Sequence, residues 1–189
     1  MAHETDLRII KTLEAIHGSF EKLSKRTVLT ELTVADLCRD ARISKKTFYR
    51  HYPSLDALAN EYLEGLVSEF FQTTSGLSLP EDTAEFIESM MLFLCDKGKE
   101  SLTYECVLNG ANLEALARLF VSKATDLDRI NTRKFGRLSA AEISLVLLFE
   151  ATSTLGMYRQ WVSEGKHLSP KRLSAMAAQL TSSEKPLRQ

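Results

Sequence analysis

Residues 32–53, Leu-Thr-Val-Ala-Asp-Leu-Cys-Arg-Asp-Ala-Arg-Ile-Ser-Lys-Lys-Thr-Phe-Tyr-Arg-His-Tyr-Pro, constrain the fold more than any other part of the chain. Thr33 is placed to N-cap a helix whose apolar positions Val34, Leu37, Cys38 and Ala41 recur at helical spacing. Ser44 is placed to cap a second helix starting at Lys45. The segment Ala41-Arg42-Ile43 between them allows only a sharp turn, with Ile43 as its apolar plug. In the second helix Phe48 and Tyr52 lie four apart and face inward, which leaves Lys45, Lys46, Thr47, Tyr49, Arg50 and His51 on the outer surface. Pro53 has no amide donor and biases Tyr52 away from helical dihedrals, so it ends that helix. This is a helix-turn-helix whose second helix carries groups suited to phosphates and base edges.

Charge is distributed to match. The chain as a whole carries −1, but residues 22–53 hold eight Lys/Arg (22, 25, 26, 39, 42, 45, 46, 50) against three acids (31, 36, 40), an excess of five. Attraction for a polyanion is therefore confined to one end of the sequence. An isolated basic helix would be read as a solvated face. Here the turn, both caps and the Thr47-Phe48-Tyr49 string converge on one geometry.

Over about residues 5–62 the sequence resembles the DNA-binding domain of TetR-family transcriptional regulators, and the resemblance is carried by Ser44 through Pro53. It implies that the third helix, with Lys45, Lys46 and Thr47 facing bases, enters the major groove. It also implies phosphate contacts from Thr33, Tyr49 and His51, with Ser44 and Arg50 in the same DNA-binding set. Two positions depart from the family pattern. Arg42 stands where a turn glycine is usual, which requires a bulky residue to accept positive φ. Leu55, just after the Ser54 cap of the fourth helix, stands where a phosphate-binding lysine is common.

The rest of the chain reads as helical. With 189 residues, 44% of them hydrophobic, and only eight Gly and four Pro, an all-α protein with a packed core is expected. A first helix is expected over residues 6–25, with Leu7, Ile10, Leu13, Ile16, Phe20 and Leu23 as one stripe. Helix four runs from Ser54 through Phe70, followed by a break over residues 73–80 and helices over 81–97, 102–108 and 112–125. Residues 126–137 are charge-rich and expected to be a loop. Residues 140–164 form the longest apolar helix, with Ile143, Val146, Leu147, Phe149, Leu155, Met157, Tyr158 and Trp161 on more than one face, so it needs partners on two sides. The last helix covers 170–180, and the polar tail from Thr181 is expected to fray.

Residues 149–180, through Gly156-Met-Tyr-Arg-Gln-Trp161-Val-Ser-Glu-Gly165 and Leu168-Ser-Pro-Lys-Arg-Leu173, resemble the C-terminal domain of a TetR-family branch related to activators of dihydroxyacetone kinase operons. The family implication is a helix-turn-helix DNA-binding domain over residues 1–55 and a helical regulatory and dimerisation domain over 56–189. It implies a homodimeric regulator, most simply a repressor, on a palindromic operator in double-stranded DNA. A small-molecule effector would release it. The effector-binding candidates are Met90, Tyr104, Phe120, Phe149 and Met157, with Met91 and Phe93 as neighbours, because soft and aromatic side chains suit irregular cavities. The same residues also fit a plain hydrophobic core. A second reading is an adaptor or coactivator with this fold, whose body docks another regulatory protein.

Other classes find little support. There is no phosphate-cradling glycine loop, metal-ligand cluster or nucleophile motif, so neither an enzyme nor a metal or cofactor is expected. His3, His17 and His167 have no suitable sequence neighbours and receive no role. Cys38, Cys95 and Cys106 lie in apolar helical patterns at no ligand spacing and are expected to be reduced and buried. The N-terminus is polar and acidic without a signal-peptide pattern, and no apolar run approaches bilayer length. A cytoplasmic protein without a membrane partner is expected.

Overall fold

The structure, a computed structural model, describes residues 2–182, with side chains described for 7–181. Those residues form nine α-helices and no strand. They are α1 (Ala2–Ser24), α2 (Val34–Asp40), α3 (Lys45–His51), α4 (Leu55–Thr73), α5 (Thr83–Glu100), α6 (Leu102–Gly110), α7 (Leu113–Asp126), α8 (Ala140–Ser163) and α9 (Pro170–Ser182). Short 3-10 turns occupy Leu29–Glu31 and Thr132–Phe135. His3 lacks a described side chain, and the tail over 183–189 lies outside the described residues.

The backbone falls into two compact units that interleave in sequence. One comprises residues 1–63 and 100–111, the other 64–99 and 112–189. Helix α6, far along the chain, belongs to the first unit because it packs on α1 and on the turn at Leu29–Glu31.

The core of the first unit is Ile16, Phe20, Leu37, Phe48 and Leu58, all fully buried. Only the C-terminal half of the α1 stripe joins it. Leu7 and Ile10 are 50% and 48% exposed, against the expectation of one continuous buried stripe. The reason is length. Helices α2 and α3 have seven residues each, roughly 10 Å at 1.5 Å per residue, and cannot cover a 23-residue helix. On the other flank of α1, α6 is anchored by a buried hydrogen bond from Ser24 Oγ to Thr103 Oγ1 at 2.9 Å.

In the second unit, Phe70 is ringed by Phe71, Phe86, Phe93 and Phe120, with ring centroids 5.1 to 5.7 Å away. These tilted and edge-on contacts give an aromatic core beyond simple area burial. The charge-rich stretch 126–137 is more ordered than a free loop. Leu79 and Ile130 form an isolated parallel bridge, and Arg129 donates to the carbonyls of Ser75 and Leu77. The loop is thus tied to the connection between α4 and α5.

Helix α8 starts with a capping box between Ser139 and Glu142 and packs along α7. Its buried face is Ile143, Leu147, Ala151, Leu155, Tyr158 and Trp161. On the opposite side Leu145 and Phe149 are 67% and 55% exposed. By length and composition α8 could cross a bilayer, contrary to the expectation that no segment would qualify. It passes because two apolar faces on one helix leave few positions for charge. Polar Ser144, Thr152 and Ser153 still interrupt its uncovered side.

Candidate nucleic-acid interface

The helix-turn-helix is built as its residues dictate. Thr33 caps α2 by accepting the Asp36 N–H at 3.2 Å, and its own hydroxyl donates to the Asp36 carboxylate. That bond, ahead of the nearby Arg39, lowers the Asp36 pKa. Ser44 caps α3 by accepting the Thr47 N–H at 3.0 Å, with its Oγ 2.9 Å from Thr47 Oγ1. Between the caps Arg42 takes φ 54, the left-handed conformation the turn requires. Ile43 N then donates to Cys38 O at 3.0 Å, which closes the turn onto α2.

Helix α3 divides into two faces. Phe48 is fully buried and Tyr52, its C-cap, is 8% exposed, and the two rings pack 5.9 Å apart. Outward, Lys45, Lys46 and Arg50 are exposed and Tyr49 is 52% exposed. None of these three cations forms an ion pair among the described residues, and α3 carries no acid. By contrast, two cations around α2, Lys22 and Arg39, are neutralised. Lys22 pairs with Asp40 and Arg39 with Asp36. The bond from Lys22 is the main cause that lowers the Asp40 pKa. Three unneutralised cations beside an exposed phenol form a surface that favours an anion.

His51 sits half-buried, and its Nε2 is enclosed without a hydrogen-bond partner among the described residues. Contact between His51 and a ligand outside therefore falls to Nδ1. Ser54 caps α4 by accepting the Ala57 N–H at 3.1 Å. Leu55, half-buried at the helix start, adds no side-chain donor.

A polar network missed by sequence reasoning holds the end of α3. Tyr52 Oη donates to Glu61 Oε2 at 2.7 Å, and His17 Nε2 lies 2.8 Å from Tyr52 Oη and 3.5 Å from Glu61 Oε1. Tyr62 donates to Glu21 at 3.2 Å and packs edge-on to Tyr104. Burial, then the neighbouring carboxylates, raise the pKa of both Tyr52 and Tyr62. His17 lies 35 residues from Tyr52. No local pattern announces such a pair.

The five effector candidates do not converge on one cavity. Met90 and Phe120 line an apolar chamber with Leu79, Phe86, Ile87 and Leu147, but it has a volume of about 30 Å³, room for a single water. Met157 borders a separate recess of about 180 Å³ with Trp161, His167 and Leu168. Phe149 is on the uncovered side of α8, and Tyr104 belongs to the first unit. Their grouping rested on side-chain type, which carries no register. The cysteines are free: Cys38 and Cys95 are buried and Cys106 half-buried. Burial pushes the Cys95 thiol up to about 11.

A capped helix-turn-helix completed by α1, followed by a helical body ending in two paired helices, is the fold of TetR-type regulators. Comparison with solved structures bears this out. The chain is similar to a TetR transcriptional regulator from Streptococcus agalactiae 2603V, with a TM-score of 0.62 at 17% identity, over 96% of this chain and 99% of that one. No family model and no curated protein matches the sequence.

Proposed function

We propose that the chain is a non-enzymatic, sequence-specific DNA-binding transcriptional regulator that acts as a homodimer, most simply as a repressor. One observation carries the reading. Helix α3 turns Phe48 into the core and presents Lys45, Lys46, Tyr49 and Arg50 outward, with no acid of its own and no ion pair among the described residues to neutralise them. In this reading Lys45, Lys46 and Thr47 face base edges, while Thr33, Tyr49 and His51 hold phosphates. Residues 1–55 read DNA, and 56–189 dimerise and regulate. The uncovered side of α8 supports a two-fold dimer through α8 and α9, which would set two recognition helices about 34–36 Å apart on successive major grooves.

The test is selection of duplexes from a random pool by the full chain, followed by Lys45→Ala and Lys46→Ala. At least one variant should lose about 1–3 kcal/mol of discrimination against a scrambled duplex. Equal losses on both duplexes would reassign both lysines to phosphate. No selectable duplex at all would refute the reading.

Control by a small effector in the body needs the Met90–Phe120 chamber to open, since it now has room for one water. Such a ligand acts only through its different affinities for the closed and open states. That small volume favours a second reading, in which the body answers to a protein partner and the chain works as an adaptor. A thermal-shift screen with apolar and aromatic metabolites separates the two, because only the effector reading expects a stabilising hit.

A further inference from the structure

We infer that Arg42, in the turn between α2 and α3, is a DNA-backbone clamp whose guanidinium binds a phosphate on the strand flanking the groove that α3 enters. The inference rests on the DNA-binding reading of α3 and adds a contact that the fold does not require. The backbone is the first argument. At φ 54 the Cβ of an L-residue crowds its own chain, and glycine alone escapes that penalty. A long cationic side chain thus stands where its removal would relax the turn.

Pairing is the second argument. Arg42 is exposed and lines an open groove of about 570 Å³ with Lys22, Glu31, Asp36, Arg39 and Asp40. Every other charge there has a partner. Lys22 holds Asp40, Arg39 holds Asp36, and Glu31 accepts from Thr27 at 3.2 Å. Among the described residues Arg42 makes no ion pair, although three carboxylates share its groove. Its guanidinium is left for a ligand outside the chain.

Reach is the third. Arg42 precedes Lys45 by three residues, so their Cα atoms lie within about 11 Å. The major groove is about 12 Å wide. With Lys45 in the groove, an extended arginine at this position spans to one wall, where its planar fork matches two phosphate oxygens.

The experiment uses the full chain, the duplex selected from a random pool and a scrambled duplex of equal length, with Arg42→Gly, Arg42→Asn and Arg42→Lys. Arg42→Gly and Arg42→Asn should each bind both duplexes about tenfold more weakly, the ratio expected from one charge-assisted hydrogen bond. The slope of log affinity against log salt should shrink by about 0.9, one phosphate contact. Arg42→Lys should keep that slope. Arg42→Gly should melt no lower than the parent, because glycine suits the turn. Unchanged affinity in Arg42→Gly would overturn the inference and turn attention to an acidic protein partner for the groove. Loss confined to the selected duplex would overturn it in favour of base reading, and loss accompanied by a lower melting temperature would assign Arg42 to the fold. If Lys45→Ala and Lys46→Ala also leave binding intact, the DNA reading itself has failed; if they weaken it and Arg42→Gly does not, only the clamp has.

Discussion

The hydroxyl of Tyr52, the residue that ends α3, donates to Glu61 of α4 across 2.7 Å. A phenol has one O–H, and it is committed to the carboxylate. His17 Nε2, 2.8 Å from the hydroxyl oxygen, must therefore supply its own N–H, which places a proton on Nε2. Elements α1, α3 and α4 meet at the Tyr52 hydroxyl oxygen, where α3 stops.

Tyr52→Phe isolates that oxygen, because the ring keeps its packing on Phe48 while the network loses its centre. A hydrogen bond to a charged group is worth about 1.5–3 kcal/mol. Glu61 is 51% exposed, so solvent screening reduces the expected loss to about 1 kcal/mol. Thermal melts should show a fall of about 2–4 °C. An unshifted melting temperature would mean that the network only decorates the core.

Gly110, the last residue of α6, tests how α6 is seated. A Cβ added there would meet Leu29 Cβ at 2.4 Å, and no rotamer change moves a Cβ aside. Alanine in a helix is intrinsically better than glycine by about 1 kcal/mol. The clash should win, and Gly110→Ala should destabilise the protein by about 1–3 kcal/mol in urea unfolding. Stabilisation instead would show that α6 can shift away from the Leu29–Glu31 turn.

Local chemistry was legible in the sequence, and distant geometry was not. Thr33 and Ser44 announce their caps by spacing and Phe48 and Tyr52 their burial by periodicity, while the positive φ of Arg42 is what the family resemblance implies for a position where glycine is usual. The caps and the burial depend on neighbours within a few residues. Tyr104 reaches Tyr62 from another helix, and His17 reaches Tyr52 across 35 residues. Those pairings follow from how helices dock, which hydrophobic period alone does not specify. The exposure of Leu7 and Ile10 likewise depends on how short their packing partners are.

Acid should weaken the first unit through α2. The Asp36 pKa is lowered chiefly by the Thr33 hydroxyl and that of Asp40 chiefly by Lys22, both from an ordinary value of 3.8. A depressed folded-state pKa gives stability that is present above the unfolded value and lost as pH falls through the folded one. The loss therefore belongs below about pH 4 and not near neutrality. Asp40→Asn should flatten the acid limb of a stability-against-pH curve there. An acid limb identical to the parent's would remove the Lys22–Asp40 pair from the account.

The proposed dimer can be tested on the uncovered side of α8. Leu145 and Phe149 are four apart, 67% and 55% exposed, and stand opposite the face that packs within the unit. Two such side chains on one helix stripe, interrupted by Ser144, Thr152 and Ser153, fit a second copy of the helix in a self-complementary two-fold contact. Phe149→Glu places a charge in that contact without touching the monomer's core. The parent should sediment as a dimer at micromolar concentration and Phe149→Glu as a monomer, with helix content by circular dichroism unchanged. Surface substitutions usually alter monomer stability by less than about 0.5 kcal/mol, so a monomer that unfolds would point to a fold that needs its partner. A parent that is itself monomeric would remove the α8 dimer, and with it the one-turn spacing of the two DNA half-sites.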